Sequence, residues 1–94
     1  MNSLETLWHT HRDAAWPKFS NPNEGELMTL DTVISGCVAY YLDSPEGLDP
    51  QRRAMLETCL ADLEGLLPGL PDDVREYFQR ARSLARLLLD ARQM

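Results

Sequence analysis

Three breaker sites divide this chain, and each lies where a helix has to stop: Trp16-Pro17, Ser44-Pro45-Glu46-Gly47 and Leu67-Pro68-Gly69-Leu70-Pro71. Proline lacks the amide that a helix interior needs and glycine loses the most backbone freedom there, so the chain is cut into four segments. Within them apolar residues recur three and four places apart, and no segment alternates cleanly with period two. The pattern predicts an all-α fold, a single-domain four-helix bundle or an orthogonal helical variant, with helices over about 3–15, 24–43, 50–67 and 72–92. Ninety-four residues leave room for one modest core.

The first segment has Asn2 or Ser3 as its N-cap, and Asn2 with Glu5 three places on resembles a capping box. Leu4, Leu7, Trp8, His11 and Ala15 fall on one face. In the turn-rich connection that follows, Phe19 is expected to pack down as an anchor, and Asn23 with Glu26 repeats the capping spacing. The third segment opens with Asp49-Pro50, a capping residue and then a proline whose fixed φ suits the first turn. It carries Met55, Leu56, Cys59, Leu60, Leu63, Leu66 and Leu67 on a single arc. The fourth opens on Asp72 and Asp73, acids that favour the positive end of a helix, and Arg92 suits its negative end. Its apolar stripe is Val74, Tyr77, Phe78, Ala81, Leu84, Ala85 and Leu88.

The second segment is unusual: between Glu26 and Asp43 its only charged side chain is Asp31. Leu27, Leu30, Ile34, Cys37, Val38 and Tyr41 make an apolar stripe flanked by Val33 and Tyr40, while Thr32, Ser35, Gly36 and Ala39 make a second face of small residues. A strand through Thr32 to Leu42 would suit the Val, Ile and Tyr content, but no second strand of comparable quality exists to pair with it. A helix with so little charge is shielded on most sides, so this one is expected to be the most enclosed of the four. If its small-residue face is open in the monomer, that face is a natural surface for a homodimer or another partner.

Nine basic against fifteen acidic side chains give a net charge of −6, and such a field repels phosphate backbones and anionic membranes. Neither nucleic acid nor membrane is an expected partner. The charge is also polarised, +1 over residues 72–94 and −7 over residues 1–71. Arg75, Gln79, Arg82 and Arg86 line one flank of the fourth helix and are candidates for binding an acidic partner through the planar guanidinium fork. The competing expectation is that these arginines pair with the chain's own acids, Glu57 and Glu64 on the third helix. The early acid and the lack of a basic, apolar start argue against a secretory signal, and no apolar run nears the roughly 20 residues of a membrane span. A cytoplasmic location follows, with Cys37 and Cys59 as free thiols acting as small buried hydrophobes.

Candidate chemistry is sparse. His9, His11 and Asp13 invite a metal reading, yet two positions apart on a helix point about 160° from each other, so the two histidines cannot share an ion. Ser35 and Cys37 have no histidine in their segment to act as a base, and no nucleophile elbow or phosphate loop appears. No cofactor is implied. Asp31 is the odd residue, because a carboxylate on an apolar helix is costly if buried unpaired. The leading expectation is a non-catalytic protein–protein interaction or regulatory module that binds another protein or itself. The alternative is a small-molecule or enzymatic site in a pocket lined by Trp8, Trp16, Tyr40, Tyr41 and Tyr77, with His11 and Asp31 as its polar groups.

Overall fold

The computed structural model describes residues 3–18, 22–44 and 47–90. Four helices follow one another, α1 (Ser3–Asp13), α2 (Glu24–Asp43), α3 (Pro50–Leu66) and α4 (Asp72–Asp90), with a 3₁₀ turn at Leu67–Gly69, and no strand occurs among the described residues. The all-α bundle predicted from the breakers is what the chain forms. The capping role of Asn2, the anchoring of Phe19 and the placement of Arg92 lie outside the described residues.

The helix ends have local causes. α1 stops at Asp13 rather than near Ala15: Pro17 has no amide to give the Asp13 carbonyl and its ring would clash with it, and the Ala14 amide instead closes a tight last turn onto the His11 carbonyl at 3.2 Å. Ala15 is therefore exposed, and Ala14 packs against the core in its place. At α2 Asn23 holds the N-cap position, but it caps through its backbone carbonyl, 2.9 Å from the Leu27 amide, and not through its side chain. The Asp49 carboxylate does cap α3, accepting from the Arg52 amide at 2.7 Å, with Pro50 in the first turn. That amide lowers the carboxyl pKa of Asp49 below its ordinary value. The turn before it contains Gly47 at φ 82°, in the left-handed region that favours glycine.

α4 is the organising element. It packs against α1, α2 and α3, and α2 and α3 also pack against each other. All seven residues of its apolar stripe are buried, Phe78 completely, among Leu27, Ile34, Leu56, Leu63 and Leu84. Of these, Val74, Phe78, Leu84 and Leu88 each contribute about 1.5–3 kcal/mol by leaving water. The expectation that α2 would be the most enclosed helix is thus corrected: α4 takes that place, and α2 buries only the stripe Leu27, Leu30, Ile34, Cys37 and Val38. Met55 is corrected too. It was assigned to the buried arc of α3 but stands 44% exposed at its edge, and Cys59 is half-buried rather than buried.

α3 and α4 are fastened along their length. Near the turn the Arg75 guanidinium donates to the carbonyls of Leu67 and Leu70, at 3.2 and 2.6 Å, tying α4 to the 3₁₀ turn that follows α3. Midway, Glu64 receives both Arg82, at 3.0 Å, and Arg86, and these two bonds hold its carboxyl below the usual range. At the far end Arg53 donates to the Leu89 carbonyl at 2.6 Å, a cation placed at the negative end of a helix.

Candidate functional site

Two features stand out, and they lie on different sides of α2. The first is a polar cluster where α1, α2 and α4 meet. His11 is 2% exposed; its Nε2 lies 2.7 Å from Asp31 Oδ1, and the Tyr77 hydroxyl donates to Asp31 Oδ2 at 3.3 Å. From the other side Arg80 Nε donates to His11 Nδ1 at 3.3 Å. A guanidinium can only donate, so Nδ1 must accept and the imidazole proton sits on Nε2, facing the carboxylate. The His11 and Tyr77 rings lie 4.5 Å apart, and Trp16 closes the cluster with edge contacts to Tyr77 and Phe78, each at 5.5 Å. Burial, and next the Asp31 charge, push the Tyr77 hydroxyl up to about 12.

His11 and Asp31, expected as the polar groups of one pocket, are brought together, but bonded to each other rather than lining an open site. Tyr77 was read as an aromatic lining residue, and Arg80 was passed over. The available signal was their i, i+3 spacing at the edge of the α4 stripe. The arrangement resembles a histidine–carboxylate dyad, but the ring nitrogen that would serve a nucleophile is occupied by Arg80. Both imidazole nitrogens and both carboxylate oxygens have partners within the fold, and no buried side-chain polar atom among the described residues lacks one. What the cluster does chemically is clamp α1 to α2 and α4. Its aromatic residues do not gather in one pocket either, since Tyr40 stands on the far side of α2 under Arg52, whose guanidinium lies 3.9 Å from its ring centre.

The second feature is that far side. Gly36 is about 140° around the helix from Asp31, and a Cβ built on it meets nothing within 4 Å. Thr32, Gly36 and Ala39 are exposed and Ser35 is half-buried, so the small-residue face is open. Met28, 51% exposed, and Tyr40 flank it. Beside it two adjoining grooves run between α2 and α3, of about 520 and 320 Å³, which share Val33 and Met55 in their walls. Cys59 lines the first and Cys37 the second, with burial raising the pKa of both thiols.

The threonines of this surface are less polar than their names imply. Thr29 and Thr32 donate their hydroxyl protons to the carbonyls of Gly25 and Met28, at 3.1 and 2.8 Å, and Thr58 on α3 does the same to Ala54 at 3.2 Å. Each of these hydroxyls spends its proton on its own helix and keeps only its acceptor side for solvent. The α2 side of the surface is free of charge from Leu27 to Leu42, Asp31 being turned away into the polar cluster.

Of the arginine stripe on α4, Arg75, Arg82 and Arg86 are held by acceptors of the chain itself, while Gln79 is exposed. His9 and Asp13 are exposed, and no cluster of three or more metal-ligating side chains forms among the described residues. No helix there is long and apolar enough to cross a membrane.

Fold and surface together define a small all-α bundle, closed by a buried polar clamp, with one open two-helix face whose α2 side carries no charge and whose groove is bordered on α3 by Arg52. Comparison with protein-family models, with curated proteins and with solved structures finds no match.

Proposed function

We propose that this chain is a non-catalytic interaction module whose working surface is the α2–α3 face. One observation carries the reading: a helix side left open by the fold bears no charge over Leu27 to Leu42, on a chain in which a quarter of all residues are charged. Open helix faces of a monomer normally carry the charges that keep it soluble. Sparing this one is explained if another protein covers it. A cytoplasmic location belongs to the same proposal and is supported by the two free thiols. A ligand pocket built on His11 and Asp31 has less support, because those groups already satisfy one another.

The test is co-purification from native extract, with identification and stoichiometry of what is bound. Wild type is compared with Gly36→Glu/Met55→Glu and with Arg82→Glu/Arg86→Glu, each checked for helix content by circular dichroism. The expected result is a stoichiometric protein, a second copy included, that is lost in the first pair and kept in the second. Loss confined to the arginine pair would move the working surface to α4 and overturn the proposal.

A further inference from the structure

We infer that His11 is built to exchange a partner for a proton: protonation of its Nδ1 expels Arg80, so that the polar hold on α1 passes from α2 and α4 together to α2 alone, and a cation is set free on the surface of α4.

The geometry leaves one place for the proton. Nε2 already carries one, directed at Asp31 Oδ1 2.7 Å away, and Nδ1 offers the lone pair that Arg80 Nε meets at 3.3 Å. From α2 the ring faces the Asp31 carboxylate; from α4 it faces the Tyr77 ring and the Arg80 guanidinium. On α1 itself His9 is exposed and Arg12 turns to Asp13 in solvent. Arginine stays charged throughout, and Tyr77 keeps its proton up to about 12. Histidine is the side chain whose ordinary titration falls between about pH 5 and 8, and carboxylates take their proton lower. The imidazole is therefore the member of the cluster that changes first as the solution turns acid.

Arg80 must then leave for two reasons. An imidazolium donates from both nitrogens, so an N–H at Nδ1 would point at the N–H of Arg80, donor against donor. Charge gives the second reason. With His11 neutral, Asp31 is balanced by Arg80; with His11 charged and Arg80 in place, two cations face that carboxylate around a histidine that is 2% exposed. His11 is held where it is, because Leu4, Leu7 and Trp8 seat α1 on the core. Arg80 can move: its side chain is half-buried and held by the Nδ1 lone pair and the face of Tyr77, 5.5 Å away. Exposed Glu76 lies one turn back on α4, at the i, i+4 spacing and in the order that favours an acid–base pair. The imidazolium left behind pairs with Asp31, and the cluster is neutral again. In mild acid the chain thus presents a cation that it keeps folded away at neutrality.

Nitrogen NMR of the whole chain, titrated from about pH 8 to about pH 5, reads both partners at once. The expected result is a single step in which His11 Nδ1 gains its proton while Arg80 Nε loses its slow exchange and its contact to the imidazole. Arg80→Leu has no guanidinium to expel, so His11 should take the proton about tenfold more readily, with a midpoint about one pH unit higher. Asp31→Asn should move the midpoint the other way, and exposed His9 should keep its own in every variant. Should Arg80→Leu lose helix content, Arg80→Gln answers the same question, since its amide can donate to Nδ1 or accept from it. An Arg80 signal unchanged through the His11 step would overturn the inference, as would a midpoint that is unmoved or lowered in the folded Arg80 variant. A His11 that takes no proton before the fold unravels would overturn it as well.

Discussion

Replacing Asp31 with alanine removes the α2 carboxylate on which His11 of α1 and Tyr77 of α4 converge. The carboxylate accepts from His11 at 2.7 Å and from Tyr77 at 3.3 Å, and its side chain is 15% exposed. Hydrogen bonds to a charged group are worth about 1.5–3 kcal/mol each, and stranding a buried donor costs about 1–3 kcal/mol. The Tyr77 bond is long and the site is not fully dry, so the sum is discounted to a loss of about 3 kcal/mol. A chain of this length has about 5–14 kcal/mol of stability in all, and the expected fall in Tm is about 12–24 °C. Asp31→Asn keeps an acceptor for the His11 proton and should lose about half as much. The assay is urea unfolding followed both by circular dichroism and by tryptophan fluorescence. The two tryptophans, Trp8 on α1 and Trp16 just beyond it against Tyr77 and Phe78, make the fluorescence a reporter of α1 docking. A red-shifted emission at low urea, ahead of the loss of helix, is expected for the alanine variant. A loss below about 1 kcal/mol with unchanged emission would refute the assignment of the cluster as the clamp of α1.

Three further outcomes follow from the same structure. Because the Tyr77 hydroxyl holds its proton up to about 12, its contribution is complete below the ordinary tyrosine value near pH 10 and disappears as pH rises towards 12. This gives about 2–3 kcal/mol of alkaline destabilisation, measurable by urea titrations at stepped pH, and Tyr77→Phe should remove that slope. Gly36→Ala, measured at concentrations where the chain is monomeric, should stabilise α2 by up to about 1 kcal/mol, because the added methyl meets nothing. Destabilisation in that thermal melt would show that the site is not open. Both thiols are raised by burial, so alkylation at neutral pH should be slow at each; half-buried Cys59 should react first and buried Cys37 only as the fold opens. Equal rates by mass spectrometry would contradict that order.

How far the sequence could be read depended on what each pattern encodes. The buried stripe of α4 was legible residue by residue, because one amphipathic helix records its own inside and outside. The exit of α1 was misjudged by two residues because Pro17 acts backwards on its neighbours. His11 and Asp31 could be picked out as polar groups on apolar faces, but their pairing across 20 residues, and that of Arg80 with His11 across 69, depends on how the helices cross. α2 was the instructive failure. Lack of charge predicted enclosure, yet the fold leaves Thr32, Gly36 and Ala39 exposed, because composition does not say which side of a helix its neighbours will cover.

The seating of α1 on α4 also has a consequence in time. His11 cannot meet Arg80 until 69 further residues have been added, which takes roughly 3–14 s at ordinary rates of synthesis. Until then Leu4, Leu7 and Trp8 have no α4 to pack on. The fastened α3–α4 pair, by contrast, is close in sequence and can form as soon as it is made. α2 and α3, which also pack against each other, can likewise meet early; the docking of α1 is the step that waits, and the newly made protein must carry an unsheltered first helix until α4 is complete.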